Sequence, residues 1–220
     1  MQPWELIDRE TVPGYGEMTL HKRGELFVIR IDGAELMGSH DHGSERLLAK
    51  LVCEPITDKP GARVLIGGLG LGYTLRAALD ALGPDATVEV AELVSATVRW
   101  NRGPLAHLAG RPLDDPRSRV RQGNVVDIIA AERGYWDAIM LDVDNGPDTT
   151  KDWGNPGLYG PAGLGRIIRA LRPGGRVAIW AAGETPRFIA AMRRAGLQSQ
   201  CVQARKHGTS NRHVIWLGET

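Results

Sequence analysis

Four short stretches of this 220-residue chain carry residue types that can do chemistry. The first is Gly68-x-Gly70-x-Gly72, inside VLIGGLGLGYTL (Val64–Leu75). Backbone without a Cβ can approach a ligand closely. The helical pattern that follows offers unpaired N–H groups and a positive dipole end. That combination suits a nucleoside-containing cofactor. The second is Glu92, about 20 residues beyond the turn, where an acid can accept the protons of both ribose hydroxyls. A solvated acid at a strand end would have the same spacing. The third is Gly123-Asn124-Val125. The amide there can pair with a base edge through its carbonyl and NH2 together. An Asn in a turn before a helix is the alternative. The fourth is Asp142-Val143-Asp144-Asn145-Gly146-Pro147. A carboxylate here can orient an amine and take its proton. Asp142 is the first candidate for that catalytic role and Asp144 the second.

These stretches need strand ends to hold them. From Ala62 onward, apolar runs alternate with helical stripes, which indicates a parallel sheet. Val64-Leu65-Ile66 reads as the first strand, Ala86–Ala91 as the second and Arg119–Gln122 as the third. Trp136–Leu141 reads as the fourth and Arg176–Ala181 as the fifth. Leu75, Ala78, Leu79 and Leu82 form a helical stripe after the glycine turn. Leu164, Ile167, Ile168 and Leu171 form another, ended by Pro173-Gly174-Gly175. Gln198–Ala204 and His213–Leu217, around a turn at 207–211, read as a closing antiparallel hairpin. In open α/β sheets, ligands bind outside the carboxyl ends of the strands, where all four stretches fall.

Residues 1–60 read differently. Met18–His21, Glu25–Asp32 and Ala34–Met37 make a β-hairpin region, with Asp32-Gly33 as a turn. Ser44 is positioned to cap a helix with Leu47, Leu48, Leu51 and Val52 on one face. Pro55 and Pro60-Gly61 mark the boundary with a main domain, 61–220.

The formal net charge is +1, so bulk electrostatics favour neither nucleic acid nor membrane. No apolar run approaches a membrane span, and the charged amino terminus is unlike a signal peptide. The two cysteines, Cys53 and Cys201, match no zinc or redox spacing and read as thiols of a reducing compartment. A cytoplasmic protein is expected. His40-Asp41-His42 has metal-like residue types, but two histidines at i, i+2 supply only part of a site. These residues, His42 among them, are read as hairpin-end residues or pocket lining, and no metal is expected. Asp148, Asp152, Trp153 and Tyr159 fall in a polar loop. It is either a solvated acidic loop or a lid presenting carboxylates and aromatic faces to a cationic amine.

The ordered set VLIGGLGLGYTLRAAL, VEVAELV, DPRSRVRQGN, YWDAIMLDVDNGP and LYGPAGLGRIIRALRPGG carries a family resemblance. The chain resembles the class I S-adenosylmethionine-dependent transferases and, among them, the spermidine synthase family. LFVIRIDGAEL and GSERLLAKL resemble that family's small β-hairpin and its entry into the main domain. The resemblance implies a Rossmann-like sheet of order 3-2-1-4-5-7-6. It implies a cofactor site built from Gly68, Gly70, Gly72, Glu92, Asn124 and Val125. It implies S-adenosylmethionine or its decarboxylated form as cofactor and a small molecule as acceptor, with His42, Asn145 and Tyr159 as acceptor-side residues. Three departures concern the polyamine end. Aminopropyl-transferring members carry an Asp within the glycine turn, taken here to be Leu71, and Tyr-His where this chain has Gly43-Ser44. They carry Asp-Ser-Ser-Asp-Pro after strand four, where Asp142–Pro147 stands.

Methyl transfer from S-adenosylmethionine is the leading expectation. Aminopropyl transfer from the decarboxylated cofactor to a diamine comes second, and a non-catalytic cofactor-binding partner subunit third. An NAD-dependent enzyme would show Gly-x-Gly-x-x-Gly, whereas these glycines are evenly spaced. An exposed strand edge in the amino-terminal region would make a homodimer reasonable.

Overall fold

A computed structural model describes residues 2–40, 42–143, 146–147, 156–205 and 212–220. The candidate residues Asp41, Asp144, Asn145, Asp148, Asp152 and Trp153, and the turn at 207–211, lie outside them.

The large sheet has seven strands. They are β5 (Arg63–Gly67), β6 (Thr87–Glu92), β7 (Ser118–Gln122), β8 (Trp136–Leu141), β9 (Leu171–Ala181), β10 (Gln198–Arg205) and β11 (Arg212–Glu219). Their spatial order is β10-β11-β9-β8-β5-β6-β7, which is the expected 3-2-1-4-5-7-6 arrangement. Strands β5 to β9 run parallel, and β11 and β10 close the sheet antiparallel. The central strands are apolar on both faces because helices cover both. Val64, Ile66, Ala138 and Met140 face one core, shared with α1 (Gly43–Cys53) and α2 (Tyr73–Ala81). Leu65, Ile139 and Leu141 face the other, shared with α4 (Val125–Ala131), α6 (Pro161–Ala170) and α7 (Pro186–Arg194). Two further helices are α3 (Ser95–Arg102) and the short α5 (Pro156–Tyr159).

Strand β9 begins at Leu171, directly after α6, and not at Arg176. Its first residue pairs with Trp136, and the register then shifts so that Arg176 pairs with Ala138. Pro173-Gly174-Gly175 is thus an irregularity at the start of the strand. Nor does Ser44 cap α1. The helix starts at Gly43, so His42, two residues earlier, holds the cap position, and the Ser44 hydroxyl donates to Glu45 at 2.7 Å. Although assigned by sequence to the amino-terminal region, α1 buries Leu48, Ala49, Val52 and Cys53 in the core of the large sheet.

The amino-terminal sheet has four antiparallel strands in sequence order: β1 (Glu5–Val12), β2 (Gly16–Arg23), β3 (Leu26–Ile31) and β4 (Ala34–Gly38). Strand β1 is an addition to the expected hairpin region. Most of its side chains are exposed, so it lacks a legible apolar alternation. Polar bonds fasten it to α3. Trp100 Nε1 donates to Asp8 at 2.7 Å and the Ser95 hydroxyl to Glu10 at 2.8 Å, while Arg99 reaches both acids at 3.0 Å. Beneath them a small core joins Leu20, Phe27 and Ile29 to Leu71, Tyr73 and Trp100. This core seats the small sheet beside the glycine turn.

Candidate functional site

The carboxyl ends of β8, β5, β6 and β7 lie side by side, and backbone bonds lace them together. Asp142 N–H donates to Gly67 O at 3.0 Å, Gly68 N–H to Ala91 O at 2.9 Å, and Gly123 N–H to Glu92 O at 2.9 Å. At strand spacings near 4.8 Å, three intervals separate Asp142 from Asn124, a site about 14 Å across.

The glycine turn is built from left-handed backbone. Gly68, Gly70 and Gly72 have φ of 87°, 52° and 83°. A Cβ on Gly68 would run into the Asp142 carbonyl, so this glycine lets the end of β8 close over the turn. A Cβ on Gly72 would lie 3.0 Å from Asn101 Oδ1. Beside Gly70 there is room, with Met37 Sδ of β4 at 3.5 Å.

Glu92 is buried behind this turn. Its Oε2 accepts the Leu69 N–H at 3.0 Å and its Oε1 the Val94 N–H at 2.7 Å. Burial pushes its carboxyl above the ordinary range, against the pull of those backbone donors. The Leu93 N–H acts on the carboxylate as well, and of its four acceptor directions one remains for a hydroxyl. Asn124 caps α4, its Oδ1 accepting the Val126 N–H at 3.0 Å. The structure shows Asn124 as the residue that caps the helix after its turn, with the NH2 the half not engaged in that cap. Val125 is buried against the end of β5.

Leu71, where the resembling family carries an Asp, is 6% exposed and packed in the small core with Phe27 and Trp100, so it offers almost no surface to a ligand. Asn101 was not singled out by sequence. It is buried in α3, and its NH2 donates to Gly70 O at 2.8 Å and Thr97 O at 2.9 Å, which holds the turn from behind. An Asn nine residues past Glu92 has no signature of its own.

Of the residues expected on the acceptor side, His42 stacks on Tyr73 with ring centroids 4.3 Å apart, and its Nδ1 is buried without a hydrogen-bond partner. Tyr73 leads directly out of the glycine turn. Tyr159 is buried, edge-on to Phe188 at 5.9 Å, and lines a separate cavity beyond β8 and β9. Asp142 stands between these two groups at the end of β8. Among the described residues, no group of three potential metal ligands occurs, and no helix is long and apolar enough to cross a membrane.

This layout, a Rossmann-like seven-stranded sheet with a small amino-terminal antiparallel sheet, is the fold of solved spermidine synthases. Spermidine synthase from Thermotoga maritima superposes with a TM-score of 0.76 at 16% identity, over 97% of this chain and 72% of that one. A spermidine synthase in complex with the transition-state analogue AdoDATO gives 0.78 at 18% identity, over 97% and 73%. In sequence, putrescine N-methyltransferase 4 of Nicotiana tabacum is 29% identical over 152 residues, 68% of this chain and 37% of that protein. Putrescine N-methyltransferase 1 of Nicotiana attenuata is similar to the same degree. The chain thus spans well under half the length of the curated relatives it matches. No protein-family model matches it. The chain thus shares the fold of spermidine synthases and a distant sequence likeness to putrescine N-methyltransferases.

Proposed function

We propose that this protein is an S-adenosylmethionine-dependent methyltransferase acting on an amine of a small molecule. The observation that carries the reading is the row of strand ends. Gly68–Gly72, Glu92 and Asn124 sit at neighbouring strand ends, and Asp142 stands at the adjoining one. The open side of Gly70, where a Cβ would meet only Met37 Sδ at 3.5 Å, leaves room for the cofactor, and the Glu92 carboxylate keeps an acceptor direction beyond its backbone donors. Gly68, Gly70 and Gly72 would lie along the cofactor, Glu92 would take the ribose hydroxyls, and Asn124 with Val125 would flank the base. S-adenosylmethionine supplies a sulfonium carbon that is already electrophilic. The protein must place a nucleophile in line with it and exclude water. An ammonium has no lone pair, so a base must act first. Asp142 would hold the ammonium and take its proton, which frees the nitrogen lone pair for the methyl carbon that the cofactor would supply, with the thioether as leaving group. The curated relatives, named as putrescine N-methyltransferases, support methyl transfer. The likeness to spermidine synthases supports the second reading, aminopropyl transfer from decarboxylated S-adenosylmethionine. Incubation with each cofactor form and a panel of small amines separates them. Methylated amine from S-adenosylmethionine alone is expected; product from the decarboxylated form alone reverses the order.

A further inference from the structure

The cavity that holds Tyr159 has a chemistry at odds with a simple diamine. It measures about 360 Å³ and opens between the loop after β8 and the start of α7. Gly146 lies directly on the end of β9, where its Cβ would strike Ala181, and Pro147 beside it is one wall. The cavity is therefore at the carboxyl end of the sheet, on the side of β8 away from the glycine turn. The sheet order thus puts the cavity across β8 from a cofactor lying over β5, β6 and β7. Arg187, Ala191 and Arg194 line its helical wall. Positions i, i+4 and i+7 share one face of a helix, so both guanidinium groups border the same space. The small Ala191 between them leaves that space open. At the head of the helix the Thr185 hydroxyl is buried with no hydrogen-bond partner. Glu184, the nearest acid in sequence, accepts a bond from Gln203 at 3.0 Å and is not part of the lining. Among the described lining residues there are two cations, one unsatisfied hydroxyl and no acid.

We propose that this cavity takes a carboxylate of the acceptor, so that the substrate is an amine that also carries a carboxylate and not a plain diamine. The proposal rests on the transferase reading above. The amine end lies toward Asp142 and the carboxylate toward Arg187, Arg194 and the Thr185 hydroxyl. A guanidinium fork matches a carboxylate with two parallel N–H bonds, whereas it repels an ammonium.

Ornithine and putrescine form a matched pair of probes, differing only by the carboxylate. The full chain is first titrated with S-adenosylhomocysteine in a calorimeter and then, saturated with it, with each probe. Ornithine is expected to bind about tenfold or more tightly than putrescine, the range for losing a hydrogen bond between charged groups. Arg187→Gln and Arg194→Gln, both on the exposed face of α7, should each shrink that preference. Thr185→Val should weaken ornithine with no gain for putrescine. Equal or tighter putrescine, no binding of either probe, or a preference that survives both arginine substitutions overturns the proposal. Those outcomes leave the transferase reading standing if S-adenosylhomocysteine has bound. Failure of that first titration overturns both.

Discussion

Leu69 and Glu92 meet across the site, the backbone N–H of one donating to Oε2 of the other at 3.0 Å. The acid expected to read a ribose is also the brace of the glycine turn. Glu92→Ala would remove the ribose acceptor and leave the Leu69 and Val94 donors unpaired in a buried place. Hydrogen bonds to charged groups are worth roughly 1.5–3 kcal/mol, so cofactor affinity should fall at least about tenfold. Calorimetric titration with S-adenosylhomocysteine measures this, and unchanged affinity would remove Glu92 from the site.

The same burial sets a pH dependence. Burial raises the Glu92 carboxyl above its ordinary 4.5. The charged form is thus penalised in the folded protein, and that penalty on stability is relieved as pH falls through the raised value. Cofactor binding follows the opposite sign, since ribose hydroxyls donate best to the carboxylate. Affinity should therefore weaken as pH falls through that raised value, while an ordinary Glu is still charged. A flat affinity as pH falls toward the ordinary Glu range in the wild type, or the same slope in Glu92→Gln, contradicts the assignment.

The three glycines are not equivalent. Gly68→Ala meets the Asp142 carbonyl as well as left-handed strain, so it should displace the end of β8. Gly70→Ala meets only Met37 at ordinary contact distance and carries chiefly the strain, about 1–2 kcal/mol. Urea unfolding should find Gly68→Ala the less stable by a clear margin. Gly70→Val adds branched bulk on the open side of the turn and should lose cofactor binding with the fold retained. A Gly70→Val protein that still binds would show that the turn serves packing alone.

Asn101 acts without touching the ligand. Its NH2 ties Gly70 to α3, and it stands behind the turn. Asn101→Ala should raise the cofactor Kd several-fold and cost about 1–3 kcal/mol of stability by leaving buried carbonyls unpaired. Asn101→Asp, which keeps the shape but cannot donate, should behave alike. Wild-type affinity in both variants would make the contact incidental.

The large sheet was legible because each parallel strand is a short apolar run punctuated by glycine or an acid. Trp136–Leu141 shows this best, since all six residues are buried and no face needs to alternate. Strand β1 was illegible for the opposite reason. It is fixed by Asp8 and Glu10 reaching Ser95, Arg99 and Trp100, partners more than 80 residues away. The start of β9 was hidden because Leu171 continues the apolar stripe of α6 while already pairing with Trp136. In the site, glycines and acids at strand ends announce themselves by spacing. The supports do not. Asn101, the burial of Leu71 and the arginine face of α7 depend on how elements pack, which no local pattern records.

Asp142 is where the proposed chemistry meets the fold. Its N–H continues the sheet to Gly67, and its carbonyl occupies the space that Gly68 leaves vacant. The backbone of the base is thereby locked to the cofactor turn, so their separation is set by sheet geometry and not by a mobile loop. Asp142→Asn keeps shape and hydrogen-bonding capacity but cannot hold the charge that draws an ammonium or accept its proton. Turnover should fall about 10²–10⁴-fold, the usual effect of losing a general base. The Kd of S-adenosylhomocysteine should stay near the wild-type value. The test compares single-turnover rates with an amine substrate against calorimetric binding of the cofactor product. Raising the pH should partly restore the rate of Asp142→Asn, because more of the amine then arrives already deprotonated. A variant that loses cofactor affinity in step with rate, or shows no recovery at high pH, would place Asp142 in the support of the turn instead of in the proton transfer.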